Sequence, residues 1–587
     1  EESNAYYTIQ DALDNSNTTN GMQILVKPGT YKGHGSHPVV QFNGKNVVIE
    51  SVAGPATTII DGEGVRTAIS MHYSAQWDMN SSGNYSGAGY SSSTKVIGFT
   101  VTDGDDDSPL VEIEGPEYTS SSSNRVPWNP VFENCRFINS TLEPSLNEYN
   151  TNDQLSVIKI KRASPTVDGC TFRGLKKTND GGTYNNGVRF KAPILMVGNP
   201  DLENGVPEDS VVYLPKFKNS VIAGNSNELS PETGSNGDDF YGGAIYIGPN
   251  SAPYFENTRI DSNKINSGGD HNESTFIMDS NDGHYGMGGG VYIDHAPNNG
   301  PPVRFVNSSI SYNTIDAHHA YGGGLFTKYG QIHLINSVLV QNKANVRYLN
   351  TGDTNVNWHP ISAGGAIYYT IDDWYDDNPN DDYTASPELR IVGSTIADNE
   401  VNPYSNATPS HRYYGAGIVR ESYDYDVLIF NSIIYGNTSS TGGAIDPQNI
   451  NMRALGDNAV GWEDDNSKID FSLIQYAADA GIDEDNVLSS DPKFSSGATV
   501  YTLSAASPAI GAGTSAFENI SSPVYDYVNT ARPVPTGSSP DLGAFENSLS
   551  STPYPDNPSG LNITSVNDGT VALTWTGGSE TDLVRYR

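Results

Sequence analysis

The stretch FENTRIDSN, Phe255–Asn263, decides the fold. It opens with a hexad of the form apolar, any residue, Asn or Gly, then Ser, Thr or Cys, any residue, apolar. An asparagine stands five residues past the hydroxyl. The hexad recurs as FENCRF at Phe132, VDGCTF at Val167, FKNSVI at Phe217, FVNSSI at Phe305 and LINSVL at Leu334. It continues as IVGSTI at Ile391, IFNSII at Ile429 and IDFSLI at Ile469, the last with Phe471 in the Asn/Gly slot. In–out alternation predicts a short strand for each hexad. The trailing asparagine is present in most copies, as Asn225, Asn263, Asn313, Asn342, Asn399 and Asn437. A second motif precedes many hexads: YGGAIYI at Tyr241, MGGGVYI at Met287, YGGGLFT at Tyr321, AGGAIYY at Ala363 and YGAGIVR at Tyr414.

Successive hexads start between 29 residues (Phe305 to Leu334) and 57 residues (Leu334 to Ile391) apart. A coil of short strands with loops of variable length at fixed corners explains that irregularity. Stacking the coils pairs each strand with its equivalent about 4.8 Å away, so equivalent residues form ladders. Stacked asparagines hydrogen-bond to backbone and to each other, and glycine pairs allow a tight corner before the next strand.

Composition narrows the function classes. The 587 residues carry 69 Asp plus Glu against 32 Lys plus Arg, a net charge of −37, which disfavours nucleic acid and anionic lipid as partners. No apolar run reaches the roughly 18 residues of a membrane span. The 2 cysteines, Cys135 and Cys170, are too few for a disulfide framework and occupy the same inward hexad slot, where a stacked pair stands within disulfide reach but two free thiols filling a ladder are the expectation. The acidic, Cys-poor, Asn/Thr-rich chain lacks a leader at its start, and a secreted or cell-surface bacterial protein is expected.

The hexads, the asparagine ladder and the glycine corners together resemble the right-handed parallel β-helix of the pectate-lyase-like superfamily. The resemblance implies an all-β solenoid over residues 1–490. Tyr6–Gly33 resembles the N-terminal cap of such proteins, a short helix followed by a strand, and Asn46–Gly64 their first coils. Asp491–Glu546 resembles a C-terminal segment that closes the last coil, so residues 491–550 are expected to cap the helix. A Pro-rich linker follows at 551–560. Residues 561–587 resemble the first strands of a fibronectin type III module, a β-sandwich that needs roughly 100 residues and is therefore cut short at Arg587. The natural protein is expected to continue beyond it.

Candidate site residues come from register. Numbering from the first apolar residue after each glycine pair puts Tyr246, Tyr292, Phe326 and Tyr368 on one outer face, a stacked platform suited to sugar rings. The competing reading is simple cross-strand stacking. Two positions on, the same face carries Asp294, Lys328 and Glu421, candidates for acid/base work in glycoside hydrolysis or, for the lysine beside a carboxylate, β-elimination. A solvated charge pair is the alternative, and the more ordinary one. His284, His318 and His411 each stand four residues before the first glycine slot of the second motif and are expected to gather at the corner beside the platform as substrate ligands. Asp372, Asp373, Asp376 and Asp377 offer hard oxygens for Ca²⁺. The basic run from Lys159 to Lys191 is expected mainly to balance the acidic surface.

Two functions are carried forward. One is a carbohydrate-active protein that binds, and in one version cleaves, a polysaccharide or cell-surface glycan along this face, with hydrolase chemistry ahead of lyase chemistry. The other is a non-catalytic adhesin or stalk displayed through C-terminal modules.

Overall fold

The computed structural model describes residues 5–35, 37–72, 89–116, 128–143, 155–178, 189–198, 211–228, 239–267, 285–294, 300–328, 330–346, 361–370, 388–402, 412–420, 426–439, 450–451, 467–478, 482, 486–496, 501–551, 559–567 and 570–576. One coil shows the repeating unit. It comprises the strands Tyr254–Glu256, Arg259–Asp261, Lys264–Asn266, Tyr285–Met287 and Val291–Ile293, after which Val303–Val306 starts the next coil. Equivalent strands pair in parallel from coil to coil. Sheet 1 runs through 12 strands, from Gln23–Val26 to Lys468–Ile469. Sheet 2 is a double ladder that includes Arg259–Asp261 and Lys264–Asn266. Sheet 3 has 6 strands, from Arg189–Lys191 to Arg412–Tyr414, and sheet 4 has 11, from Val40–Gln41 to Ile450–Asn451. The arrangement is all-β and compatible with a parallel β-helix.

The hexad is not one strand. Its third residue has a positive φ in every copy: Asn134, Gly169, Asn219, Asn257, Asn307, Asn336, Gly393, Asn431 and Phe471 lie between +41° and +63°. That residue is the corner between sheet 1 and sheet 2, and Asn and Gly enter the left-handed region at least cost. The chain alternates before and after the corner, which is why the hexad reads as a single strand in sequence. The first apolar residue of each hexad faces the core from sheet 1, and Phe255 stacks on Phe305 with centroids 4.8 Å apart. The last faces it from sheet 2, as Ile260 and Ile310 do.

The hydroxyl slot and the trailing asparagine satisfy the backbone at two successive corners. Ser308 N–H donates to Ser337 Oγ at 3.3 Å, and Ser337 N–H to Ser394 Oγ at 3.0 Å. The asparagine ladder is continuous from Asn225 to Asn437. Asn263 N–H and Nδ2 both donate to Asn313 Oδ1, at 3.0 and 2.9 Å, and Asn313 does the same to Asn342. Each Nδ2 also reaches a carbonyl one coil back, as Asn313 does to Ile260 O at 3.1 Å. Cys135 and Cys170 fill the hydroxyl slot as buried free thiols, as expected. The glycine pair is the third corner. Gly242 has φ +78°, and a Cβ there would stand 2.2 Å from Ile245 O.

At the chain start, the helix Ile9–Asp14 is capped by Thr8, whose Oγ1 accepts from Asp11 N–H at 2.9 Å. Its Ile9 and Leu13 join the core of the first coils. Residues 501–550, within the segment expected to close the last coil, pack against the outer side of sheet 2. Tyr501 and Phe545 pack on Val338, Val340 and Ala397, while Leu503, Ile510 and Leu542 pack on Ile433 and Leu473. The corner column tethers the same segment: Asn431 Nδ2 donates to Thr514 O at 2.7 Å, and Asn336 Nδ2 to Tyr525 O at 3.0 Å. The strands Ser559–Asn567 and Thr570–Thr576 form an antiparallel hairpin.

A dry ionic knot fixes the C-terminal segment. The Arg532 and Glu546 side chains are fully buried and meet at 3.1 Å. Asp526 and Asp541 are buried beside them. Backbone N–H groups complete the carboxylates: Gly511 and Asn547 donate to Asp541, and Val528, Thr530 and Glu546 to Asp526. One guanidinium faces three carboxylates. Burial, with Glu546 adding, outweighs the N–H donors and pushes Asp541 up to about 7. The folded segment therefore holds a proton that the unfolded chain releases near pH 4. Its docking loses stability as pH rises from about 4 to about 7 and changes little above.

Two outcomes are expected. Asn313→Ala leaves the Asn263 N–H and the Ile260 carbonyl buried without partners, at about 1–3 kcal/mol each. It should lower the guanidinium unfolding midpoint far more than Asn257→Ala at the exposed corner. Second, amides of residues 501–550 should exchange hydrogen more slowly at pH 5 than at pH 8 after correction for intrinsic rates. Equal protection would contradict the titration assigned to the knot.

Candidate binding face

Sheets 3 and 4 meet at the glycine corner and form one composite face. Connections elsewhere in the coil are minimal. Two residues separate the sheet 1 and sheet 2 strands at every hexad, as between Glu256 and Arg259 or Val392 and Thr395. Three separate sheet 3 from sheet 4 in five coils, as between Tyr321 and Leu325. Most of the long connections precede sheet 3 or follow sheet 4, such as residues 267–284 before Tyr285 and residues 371–387 after Thr370, whereas residues 475–486 join two strands of sheet 2.

The expected aromatic column is present and in register. Tyr246 stacks on Tyr292 at 5.3 Å, Tyr292 on Phe326 at 5.1 Å and Phe326 on Tyr368 at 5.4 Å, all within 8° of parallel. The rings are nevertheless 1–4% exposed. A second row from sheet 3 covers them. Tyr241 meets Tyr292 edge-on at 4.7 Å, and Tyr321 meets Tyr368 at 4.9 Å. The column therefore forms a cross-strand ladder under a second tier, and among the residues whose burial is described the partly exposed rings of the face are Tyr241 and Tyr285. Sequence reasoning missed this tier. Its signal was the tyrosine immediately before the glycines, at Tyr241 and Tyr321, on the strand that approaches the corner.

The polar candidates stand at the column's edge. Tyr246 Oη donates to Asp294 Oδ2 at 2.7 Å. Asp294 is buried, and Lys328 follows it one coil on, continuing the register of Ile293 with Thr327. Lys191 Nζ lies 5.0 Å from the centre of the Tyr246 ring, a cation–π contact. His318 is buried at the start of sheet 3, its ring edge-on to His319 at 4.6 Å. His319 was not anticipated. It stacks on Tyr285 at 4.5 Å, and its Nδ1 accepts from Ile361 N–H at 3.3 Å. Burial, helped by His318, pulls its imidazole down to about 3, so it is neutral at ordinary pH. His284, His411, Glu421, Asp372, Asp373, Asp376 and Asp377 lie outside the described residues.

The same outer rows of sheet 4 change character in the earlier coils. There the positions equivalent to Leu195 and Val197 carry Lys159 and Lys161, and before them Glu112 and Glu114. Glu114 is shared by Lys159 at 2.7 Å, Lys161 at 3.1 Å and Arg162 at 2.9 Å. Lys159 also reaches Glu112 at 3.0 Å. Burial alone would raise Glu114, but its three cations outweigh it and hold the carboxyl down to about 2. The basic run thus balances acids, as expected: Lys176 pairs with Glu228, and Lys177 turns inward to Leu155 O. Ligand atoms of His72, Glu112 and Glu114 lie within 4.8 Å of one another. The Lys159 ammonium already bridges both carboxylates there. Two carboxylates and an imidazole also fall short of the six or more oxygens calcium takes.

Compared with family models, curated proteins and solved structures, the chain matches none.

Replacing Glu114 with Gln would leave three largely buried cations without their shared anion, a loss of about 3–5 kcal/mol. In the native chain the contribution of Glu114 is present above about pH 4.5 and is lost as pH falls toward about 2. Thermal midpoints of Glu114→Gln and the parent should therefore converge on acidification. A gap that persists at pH 2 would assign the effect to packing instead.

Proposed function

We propose that this chain is a secreted or cell-surface carbohydrate-active protein of the right-handed, pectate-lyase-like β-helix type. On this reading it holds a polysaccharide or cell-surface glycan along the composite face of sheets 3 and 4. The observation that carries the reading is the placement of the long connections. Most of the long connections run from sheet 2 into sheet 3 or sheet 4, or from sheet 4 to sheet 1, while the hexad corners and the glycine corners hold two or three residues. Binding residues concentrate on loops set on a rigid scaffold. Between those connections the face offers what a sugar polymer uses: partly exposed tyrosine rings at Tyr241 and Tyr285, backed by the column of Tyr246, Tyr292, Phe326 and Tyr368. Its row of equivalent positions runs along the coil axis, as the residues of a linear glycan do.

Cleavage is the further step of the proposal. It would use Asp294, Lys328 and Glu421, with His284, His318 and His411 at the corner, and hydrolysis stands ahead of lyase chemistry. Calcium would enter through Asp372, Asp373, Asp376 and Asp377. The proposal also includes the capping role of residues 491–550 and a fibronectin-type module starting at 561. One observation favours the second reading, an adhesin or stalk without activity: the column is sealed and Asp294 is buried against Tyr246. Binding is accordingly the better-supported half.

A glycan array read with and without calcium, scored for capture and for released product in the same wells, tests this. The Tyr241→Ala/Tyr285→Ala double variant should weaken capture at least about tenfold, near 1.4 kcal/mol. Tyr254→Ala on sheet 1 should leave it unchanged. Capture by no glycan, or capture indifferent to the double variant, would sink the reading. Capture without product would leave a binding protein.

A further inference from the structure

The two cysteines stand at one corner of successive coils. Their neighbours pair in register, Glu133 with Asp168 and Arg136 with Thr171. Cys135 N–H donates to Cys170 Sγ at 3.3 Å, and both side chains are 1% exposed. Each sulfur points one coil back, Cys135 to Val96 O at 3.4 Å and Cys170 to Phe132 O at 3.5 Å. In-register parallel neighbours lie about 4.8 Å apart, inside the Cα separation of about 4.4–6.8 Å that a disulfide spans. Turning one sulfur toward the other is the change required. In the other copies the slot is Ser220, Thr258, Ser308, Ser337, Ser394, Ser432 and Ser472. A small hydrogen-bonding side chain is all the corner needs, so thiols at two successive slots exceed that need.

We propose that Cys135 and Cys170 are a modification site, closing as a disulfide that staples two successive coils when the chain folds with a low-molecular-weight disulfide present. One thiolate attacks a sulfur of that disulfide, forming a mixed disulfide and releasing one small thiolate. The other cysteine, once deprotonated, attacks the protein sulfur of the mixed disulfide and releases the second small thiol. Two protein thiols are oxidised and one small disulfide is reduced. In the folded chain the two thiols differ, Cys135 being the more acidic. Burial raises its thiol, but the Cys170 side chain and the backbone of Phe99, Gly98 and Glu133 outweigh that and leave it below the ordinary value. Burial, with Cys135 adding, holds Cys170 well above it. Because both sulfurs are covered in the folded chain, the exchange belongs to folding or to local opening of this corner.

The test is refolding of the full chain from guanidinium with either oxidised glutathione or dithiothreitol, followed by intact mass and peptide mapping without reductant. Cys170→Ser serves as the control that folds, because serine occupies that slot in six other copies. The expected result is a loss of about 2 Da with a Cys135–Cys170 cross-linked peptide, a thermal midpoint a few degrees higher, and neither change in the variant. Two thiols that alkylate fully after denaturing the oxidised sample would overturn the proposal. So would a glutathione adduct or a cross-linked dimer in place of the internal bond.

Discussion

The hydrogen bonding of buried corners is the constraint on which the rest of the structure depends. A coil of three-residue strands must turn every few residues, and each turn carries backbone groups into a dry interior, where an unmet N–H or C=O costs about 1–3 kcal/mol. Strand pairing cannot serve them, because they lie between strands. The row of hydroxyls at Ser308, Ser337 and Ser394 serves the first corner, and the carboxamides from Asn225 to Asn437 serve the second. A carboxamide fits because its oxygen accepts from the preceding coil, while its nitrogen donates both to the next coil and back to a carbonyl. Hydroxyls fit the tighter corner because they accept one N–H and donate to a carbonyl two residues back, as Ser337 does to Ile335 O.

That constraint explains what was legible. Corner residues recur at fixed offsets whatever the loops do, so the hexad, the asparagine and the glycine pair reveal coils and register. The order of Tyr246, Tyr292, Phe326 and Tyr368 follows from register alone and is found as read. What escaped was anything set by packing between sheets. A left-handed residue at Asn257 looks like any other asparagine in an alternating stretch, so the hexad passes for one strand. The second tier at Tyr241 and Tyr321 depends on the angle between sheets 3 and 4, which no period encodes. The pairing of Glu112 and Glu114 with Lys159 joins residues 45 or more positions apart, and only the coil count makes them neighbours. The lateral course of residues 501–550 has no repeat to betray it.

One sheet carries two solutions to the same packing problem. On the outer rows of sheet 4, Glu112, Glu114, Lys159 and Lys161 give way to Leu195 and Val197 and then to stacked rings. The change coincides with the start of sheet 3 at Arg189–Lys191. Before that strand no second wall is paired beside sheet 4 among the described residues, and charged side chains neutralise each other at its surface. After it, the wall excludes water and burial of rings becomes favourable, at about 0.5–1.5 kcal/mol per ring pair beyond area. Lys191 marks the boundary, its ammonium placed on the Tyr246 ring.

The same change decides what the face exposes. A ring column under a second tier is a rigid backing whose own faces are spent on each other. What the face leaves partly exposed among the described residues is Tyr241 and Tyr285. Such a division separates the residues that must repeat from those free to differ. Corners and column must keep coil spacing, because one misfit ring disturbs both neighbours. The connections between Asn266 and Tyr285 or between Thr370 and Glu388 have no such obligation, and their lengths vary from coil to coil accordingly.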